Sequence, residues 1–120
     1  MKLTKKEQIN ADQCKVVVVL DTIVGKWKPL IIQYLLHDGT LRFNELRRRI
    51  PDITQRMLTL YLRDLEEQDI VKRVVYPQVP PKVEYSLTEY GKSLEPVLYA
   101  MHKWGEAHLE HMKNKNSSTE

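Results

Sequence analysis

Apolar residues recur every three or four positions between residues 53 and 67. This spacing places Leu58, Leu62 and Leu65 on one face of a helix, and Thr54 stands where an N-cap hydroxyl is expected. The opposite face carries side chains that donate hydrogen bonds to phosphates or base edges, namely Gln55, Arg56, Thr59 and Arg63. The pattern predicts an amphipathic helix. Such a helix fits a DNA-reading role, but on periodicity alone it is more often an ordinary surface helix.

Two helices are predicted upstream, and the first has an ambiguous pattern. Four consecutive valines at 16–19 favour a strand by propensity. The longer spacing of apolar residues over 16–24 favours a helix that ends at Gly25. We expect the helix, because packing overrides weak propensity. The second helix covers residues 26–37, with Pro29 in its first turn and a stop signal at residues 37–39.

A short helix is predicted immediately before the amphipathic stretch. Residues 41–42 fit a very short strand, and residues 43–50 fit a helix with Phe43, Leu46 and Ile50 facing inward. Residues 51–53 then turn the chain into the next helix.

A hairpin is predicted after the amphipathic helix. Its strands cover residues 70–76 and 83–87, and the second alternates with Val83, Tyr85 and Leu87 on one face. The connection at 77–82 contains three prolines, which lack the N–H needed to extend a ladder.

Thr88 is predicted to cap a long final helix that extends to about residue 111, with a kink or break near Pro96. Its apolar stripe consists of Leu94, Val97, Leu98, Met101, Trp104, His108 and Met112. On so small a domain this stripe would expose a large apolar patch, so a subunit interface is predicted there. Residues 1–11 are predicted to be a flexible arm, residues 12–112 one domain, and residues 113–120 a disordered tail.

The order of these elements predicts the fold class. A short helix that turns into an amphipathic helix, followed by a basic hairpin, is typical of a winged helix-turn-helix. The prediction is a mainly α (α+β) fold with extra N- and C-terminal dimerisation helices. A chain of 120 residues suits one such domain.

Charge and composition narrow the function classes. The balance of 19 basic and 16 acidic side chains gives a net charge of +3, a mild preference for anionic partners. A single cysteine excludes an intrachain disulfide and fits a reducing compartment. No segment reaches the roughly 18 to 20 apolar residues of a membrane span, so we expect a cytoplasmic protein with no membrane partner. No Gly-rich phosphate loop, nucleophile–base pair or acidic dyad is recognisable, so neither an enzyme nor a cofactor is predicted.

Several motifs resemble the HxlR-type regulators, a MarR-like branch of winged-helix transcription factors. They are GKWKPLI at 25–31, LRFNELRR at 41–48, MLT at 57–59, LRDLE at 62–66, YPQVPPKVEYSLT at 76–88, PVL at 96–98 and WG at 104–105. The resemblance covers roughly residues 14–105. It implies a homodimeric bacterial DNA-binding regulator whose first and last helices form the dimer. Many members carry a cysteine near the start of the first helix, and several use it to sense electrophiles or oxidants.

Two features depart from the family pattern. Asp69 stands where the turn after the reading helix usually has glycine, and aspartate tolerates the left-handed conformation at some cost. Leu60 and Tyr61 replace residues that tend to be polar, so methyl and ring contacts to DNA are expected here. The sequence preference of relatives therefore does not transfer.

The predicted DNA contacts fall into three groups. The reading helix and its flanking phosphates involve Gln55, Arg56, Thr59, Leu60 and Arg63; Arg56 lies near the N-terminal end, where such helices usually meet base edges. Arg73 and Lys82 flank the hairpin and are expected at the sugar-phosphate or an adjacent minor groove. Arg42, Arg47 and Arg48 are expected to clamp the backbone. The alternatives are a helical ion pair of Arg63 with Glu66 or Glu67, and a merely solvated face at 47–49.

Cys14 has two interpretations. A free cysteine is most often a small buried apolar residue. Against this, Lys15 is adjacent, and the dipole of a helix favours a thiolate near its N-terminus. A small electrophile or oxidant acting at Cys14 is therefore a predicted partner. Oxidation of the single thiol would give a mixed disulfide or a bridge between subunits, whereas alkylation needs neither.

The homodimer is predicted to use the terminal helices and to bind a pseudo-palindromic DNA operator, as a repressor rather than an activator. The expected interface residues are Val16, Leu20, Leu94, Leu98, Met101, Trp104 and His108. Two alternatives stay open: a winged-helix module that binds only protein, and a metal-responsive regulator using Cys14, His108 and His111. No CxxC or HExxH pattern supports the metal, so no metal site is predicted.

Overall fold

Helices surround a small antiparallel sheet in the computed structural model, which describes residues 14–23 and 25–118. The elements are α1 (Lys15–Thr22), α2 (Trp27–Asp38), β1 (Leu41–Arg42), α3 (Phe43–Arg49), α4 (Gln55–Glu67), β2 (Val71–Tyr76), β3 (Lys82–Leu87), α5 (Glu89–Lys92) and α6 (Glu95–Ser118). The strand order is β1-β3-β2. This is the predicted winged helix-turn-helix, with α3 and α4 as the two helices and β2–β3 as the wing. No helix in the described residues is both long and apolar enough to span a bilayer.

The core explains why α4 has a fixed orientation. Leu58, Leu62 and Leu65 are buried, as their spacing predicts. They pack in one cluster with apolar residues of the other elements, among them Ile31, Ile32, Leu35, Leu46, Ile50, Val71, Tyr85 and Leu87. Because close-packed interiors resist rearrangement, the opposite face of α4 is presented outward in a defined direction.

The valine run is helical, which confirms the preference for periodicity over propensity. The helix is shorter than expected: α1 ends at Thr22, not at Gly25. Gly25 has a φ of +83° and belongs to the turn before α2. Left-handed backbone suits glycine because it has no Cβ. Residues 1–13 lie outside the described residues, so the predicted flexible arm does too.

Two aspartates adopt the left-handed conformation in turns. Asp69 has a φ of +63°, which confirms the prediction for the turn after α4. Ile70 N–H donates to the Leu65 carbonyl at 2.9 Å across this turn, as in a Schellman motif. Asp52, with a φ of +76°, also adopts the left-handed conformation, in the turn between α3 and α4. The sequence prediction did not include it.

The hairpin joins the final helices through a closely packed corner. Its register pairs Val71 with Leu87 and Tyr76 with Lys82. Thr88 Oγ1 accepts a hydrogen bond from Gly91 N–H at 2.8 Å, which confirms the predicted cap. A Cβ at Gly91 would overlap the Ile70 carbonyl, so this position requires glycine.

The last predicted helix is broken near Pro96, as expected. A turn at Ser93 and Leu94 separates α5 from α6, and Pro96 occupies the first turn of α6, where its missing N–H costs little. The C-terminal end differs from the prediction, because α6 continues to Ser118 where a disordered tail was expected. Lys113 and Lys115 are good helix formers whose charge also suits a helix C-terminus.

Candidate nucleic-acid interface

The outer face of α4 carries the predicted reading residues. Thr54 Oγ1 accepts from Met57 N–H at 3.0 Å and so caps the helix. Gln55, Arg56 and Arg63 are exposed, and Leu60 is 52% exposed despite being apolar. The outward direction of these side chains follows from the burial of the leucine face.

Two residues of α4 behave differently from the expectation. Tyr61 packs against the core, so its ring is not offered on the outer face. At 100° per residue, its position lies beside the leucine stripe. The Thr59 hydroxyl donates a hydrogen bond to the Gln55 carbonyl at 2.8 Å, so its proton is used within the helix.

α3 and the residue before it carry further exposed basic side chains. Arg42, Arg47 and Arg48 are exposed, and Arg42 and Arg48 line one shallow cavity with Asn44 and Glu45. Arg42 N–H donates to the Glu45 carboxylate at 2.8 Å, which fixes the start of α3. The three guanidiniums are therefore available to phosphates.

Arg49 has a structural role instead. Its Nε donates to Asp38 Oδ2 at 2.9 Å, and its guanidinium also donates to the Glu45 carbonyl at 3.1 Å. This links the end of α2 to α3. The hydrogen bond from His37 is the main cause that lowers the pKa of the Asp38 carboxyl. Desolvation opposes this shift, and the hydrogen bond and charge of Arg49 add to the lowering.

The two basic residues predicted to contact DNA from the wing, Lys82 and Arg73, differ in whether their charges are already paired. Lys82 Nζ lies 3.4 Å from Glu84 Oε2 and 4.8 Å from the centre of the Tyr76 ring, so its charge is engaged within the wing. Arg73 faces the α4 side of the hairpin, where it lines a cavity with Arg63. The predicted alternative of an ion pair between Arg63 and an acidic residue of α4 is absent from the described part of the chain.

Lys28, which was not among the predicted site residues, contacts α4 directly. It is only 5% exposed, and its Nζ donates to the Asp64 carboxylate of α4. The partners are 36 residues apart, so no local pattern indicates the contact. The one available signal is a lysine within the otherwise apolar start of α2.

Cys14 stands at the N-cap position of α1, as the prediction of a cysteine near a helix N-terminus requires. It is half-buried and its side chain makes no capping hydrogen bond. The side chain is thus neither fully enclosed in the core nor engaged by the helix it precedes.

The predicted interface residues divide into exposed and buried groups. Val16 (63% exposed), Leu20, Met101 and Trp104 (68% exposed) present apolar surface, and Trp104 stacks on His108 with ring centres 4.8 Å apart. Leu94 is half-buried against the core. Leu98 is 4% exposed and belongs to the core, so its prediction as an interface residue is corrected. Leu98 lies in the first turn of α6, where it packs in the buried cluster of the domain.

Further apolar residues of the terminal helices were missed. Val18, Tyr99 and Leu109 are all more than half exposed. Gly105 lies in the interior of α6, and a Cβ built there would meet nothing within 4 Å. Among the described residues, no group of three or more His, Cys, Asp or Glu side chains is placed to hold a metal ion.

Comparison with known proteins decides the family. The model of the HxlR-like helix-turn-helix family matches residues 22–113. The chain belongs to the HxlR-like helix-turn-helix family. The HTH-type transcriptional regulator YybR of Bacillus subtilis strain 168 is 50% identical over 118 residues, covering 97% of this chain and 94% of YybR. HxlR-family membership makes this chain a transcriptional regulator of the helix-turn-helix type and not an enzyme.

Solved structures show the same architecture. The redox regulator HypR in its reduced form is 53% identical, with a TM-score of 0.78 over 84% of this chain and 99% of HypR. HypR in its oxidized form is 58% identical, with a TM-score of 0.72 over 78% and 96%. A MarR-family regulator from Enterococcus faecalis V583 is 35% identical, with a TM-score of 0.75 over 92% and 99%. The HxlR-like chain is therefore also MarR-like in fold.

Proposed function

We propose that this protein is a bacterial repressor that binds a pseudo-palindromic DNA operator as a homodimer and is released by modification of Cys14. The observation that carries the proposal is the two-sided character of α4. Its leucine face is buried and its outer face presents Gln55, Arg56, Leu60 and Arg63. An α-helix fits the major groove of B-DNA, so this face would meet base edges.

Different residues would position the protein and read the sequence. Gln55 and Arg56, in the first turn of α4, have the donors for bidentate base contacts, and Leu60 offers methyl groups to a thymine methyl. The exposed guanidiniums of Arg42, Arg47 and Arg48 would meet phosphates, which fix register without reading sequence. Lys82, already engaged by Glu84, would contribute least.

Exposed apolar surface on the terminal helices supports the homodimer. Together, four exposed apolar side chains present more apolar surface than an isolated domain usually shows. They are Val16 and Leu20 of α1, and Met101 and Trp104 of α6. Gly105 adds an independent argument. A glycine inside a helix costs about 1 kcal/mol relative to alanine, yet nothing in the described part of the chain occupies the space of its absent Cβ. A partner helix that approaches closely at Gly105 would account for it.

Two-fold symmetry sets the form of the operator. A symmetric dimer presents its two reading helices to successive major grooves, about 34 Å or one turn of DNA apart. Each half-site would then receive the same contacts in opposite orientation. A cytoplasmic location, where bacterial DNA lies, follows from this target.

Thiol control is supported by the likeness to the redox regulator HypR, which is solved in reduced and oxidized forms. Cys14 is half-buried at the start of α1. α1 also carries Val16 and Leu20 of the proposed interface. Modification of the thiol would add volume at that helix start and so disturb the dimer. As the only cysteine in the sequence, it would form a mixed disulfide, a bridge between subunits or an alkylated adduct.

A genomic footprint with the purified protein tests the function. The expected result is a small set of protected pseudo-palindromic sites near promoters, lost when the protein is first treated with a thiol-modifying quinone. Affinity for such a site should fall steeply as salt rises, because neutralised phosphates release counterions. Absence of salt-dependent binding to any duplex would instead favour a module that binds only protein.

A further inference from the structure

Two arginines from different elements meet where the reading helix packs against the wing. Arg63 of α4 and Arg73 of β2 line a single cavity of about 300 Å³, together with Thr59, Glu66 and Tyr85. In the sequence, Arg63 belongs to the predicted reading helix and Arg73 to the predicted hairpin, where separate contacts are expected. The structure brings them to one place.

The positions of both arginines are set by the core beneath them. Thr59, Arg63 and Glu66 are spaced by four and three residues, so they follow one another along one side of α4. Arg73 is two residues after the buried Val71, and alternation along a strand puts both on the same face of β2. Arg73 also stands directly opposite Tyr85 of β3, which is 9% exposed. The cavity is therefore bounded by elements that the core holds in place.

Both guanidinium groups are free to take a new partner. Across the residues that the structure describes, neither Arg63 nor Arg73 forms an ion pair or a side-chain hydrogen bond. Among the described residues, Glu66 is the one carboxylate that lines the cavity, and it is not within ion-pair distance of either arginine. Two guanidiniums and one carboxylate leave a formal charge of +1. A monoanion with several acceptor oxygens matches this charge, and planar guanidiniums bind such groups well.

We propose that this cavity holds one phosphodiester of the DNA backbone, shared by Arg63 and Arg73. The inference rests on the proposed DNA binding and adds a specific anchor to it. Each guanidinium would donate to oxygens of the same phosphate, tying the reading helix and the wing to one point on the backbone. The register of α4 in the groove would be fixed from that point, since phosphate contacts position a protein on the duplex.

Salt dependence of operator affinity counts the phosphates involved. For B-DNA, the slope of log affinity against log salt changes by about 0.9 for each neutralised phosphate. The double variant Arg63→Ala with Arg73→Ala should therefore lower the slope by about 0.9. A loss of about 1.8 would mean two separate phosphates and would overturn the proposal, as would an unchanged slope.

A neutral phosphate analogue locates the shared contact. We expect one phosphate position in the operator at which a single methylphosphonate abolishes the affinity loss caused by Arg63→Ala and also the loss caused by Arg73→Ala. Two different positions, one for each arginine, would contradict a shared phosphate. Lys72→Ala is the matched control, because Lys72 is exposed on the opposite face of β2 beside Arg73. Any effect of Lys72→Ala on operator affinity should be the same with and without the methylphosphonate.

The outcome also separates this anchor from the proposed function itself. If the unmodified protein shows no salt-dependent affinity for duplex DNA, the proposed function fails. If it binds, and Arg56→Ala weakens binding while the Arg63 and Arg73 double variant leaves the slope unchanged, only the shared phosphate fails. Because both arginines are exposed, their replacement should leave the thermal unfolding midpoint close to that of the parent protein.

Discussion

The ammonium group of Lys28 donates a hydrogen bond to the Asp64 carboxylate and so joins α2 to the reading helix. The two partners have unequal access to water, because the Lys28 side chain is 6% exposed and that of Asp64 is 44% exposed. Apolar side chains of both helices, among them Ile31, Leu58 and Leu62, also pack in one buried cluster, and such packing is non-directional. This directional contact involves α4, the helix that carries the proposed base-reading residues.

The unequal exposure predicts unequal effects of removing either partner. Asp64→Asn leaves a charged ammonium buried without its counter-charge and should lower the free energy of unfolding by roughly 2 kcal/mol. Lys28→Met keeps the volume and removes the buried charge, while Asp64 gains water, so its effect should be smaller. Urea unfolding of both variants measures the difference. A greater loss for Lys28→Met would mean that the lysine stem, and not its charge, holds α4.

Replacing Gly105 should affect the stability of helix α6 and the stability of the dimer in opposite directions. Gly105→Ala should favour the isolated helix, but a methyl group at a close helix crossing causes overpacking that costs roughly 1 to 3 kcal/mol. We expect the dimer dissociation constant to rise about tenfold. Analytical ultracentrifugation over a concentration series measures it, with Ala107→Ser on the far side of α6 as the control. A tighter dimer would place the crossing elsewhere.

Cys14 predicts a loss of regulation without loss of DNA binding. Cys14→Ser should bind the operator with nearly unchanged affinity, because the N-cap position of α1 lies apart from the outer face of α4 and serine suits an N-cap. Quinones, aldehydes or hypochlorite should no longer release it. Fluorescence anisotropy of labelled operator, with and without each reagent, gives the answer. Equal release of the variant and the parent protein would remove Cys14 from the mechanism.

The lowered pKa of Asp38 predicts a contribution to stability that is present at neutral pH and lost in acid. A carboxylate whose folded pKa is depressed stabilises the fold above its unfolded value and loses that contribution as pH falls through the folded value. Asp38→Asn should therefore be less stable than the parent protein at neutral pH. The difference should disappear below the ordinary value of 3.8 as the carboxyl protonates. Thermal unfolding at several pH values checks this, and a difference that persists at the lowest pH would point to a packing effect.

Local patterns were enough to predict most of the fold. The burial of Leu58, Leu62 and Leu65 follows from helical spacing, and the caps at Thr54 and Thr88 involve only residues three positions away. The left-handed Asp69 follows from its place at the end of a helix. In each case, the relevant partners are near in sequence.

Features that depend on distant residues were not predictable. The Lys28–Asp64 bond joins residues 36 apart, and the meeting of Arg63 with Arg73 depends on how β2 packs on α4. Leu98 and Tyr61 also pack on the core, although they were predicted to face a partner subunit and DNA. An apolar stripe does not reveal which of its residues contact the core of the same chain. Tertiary packing decided which side of each helix stayed exposed.

The central claim is that the outer face of α4 reads DNA in a symmetric dimer, and a hydroxyl-radical footprint on the operator tests it most directly. We expect two equivalent protected regions about one helical turn apart. Arg56→Ala should weaken operator affinity by about tenfold to a hundredfold and reduce protection in both regions, while binding to unrelated duplex changes little. A single protected region, or protection that is unaffected by Arg56→Ala, would rule out DNA reading by the outer face of α4 in a symmetric dimer.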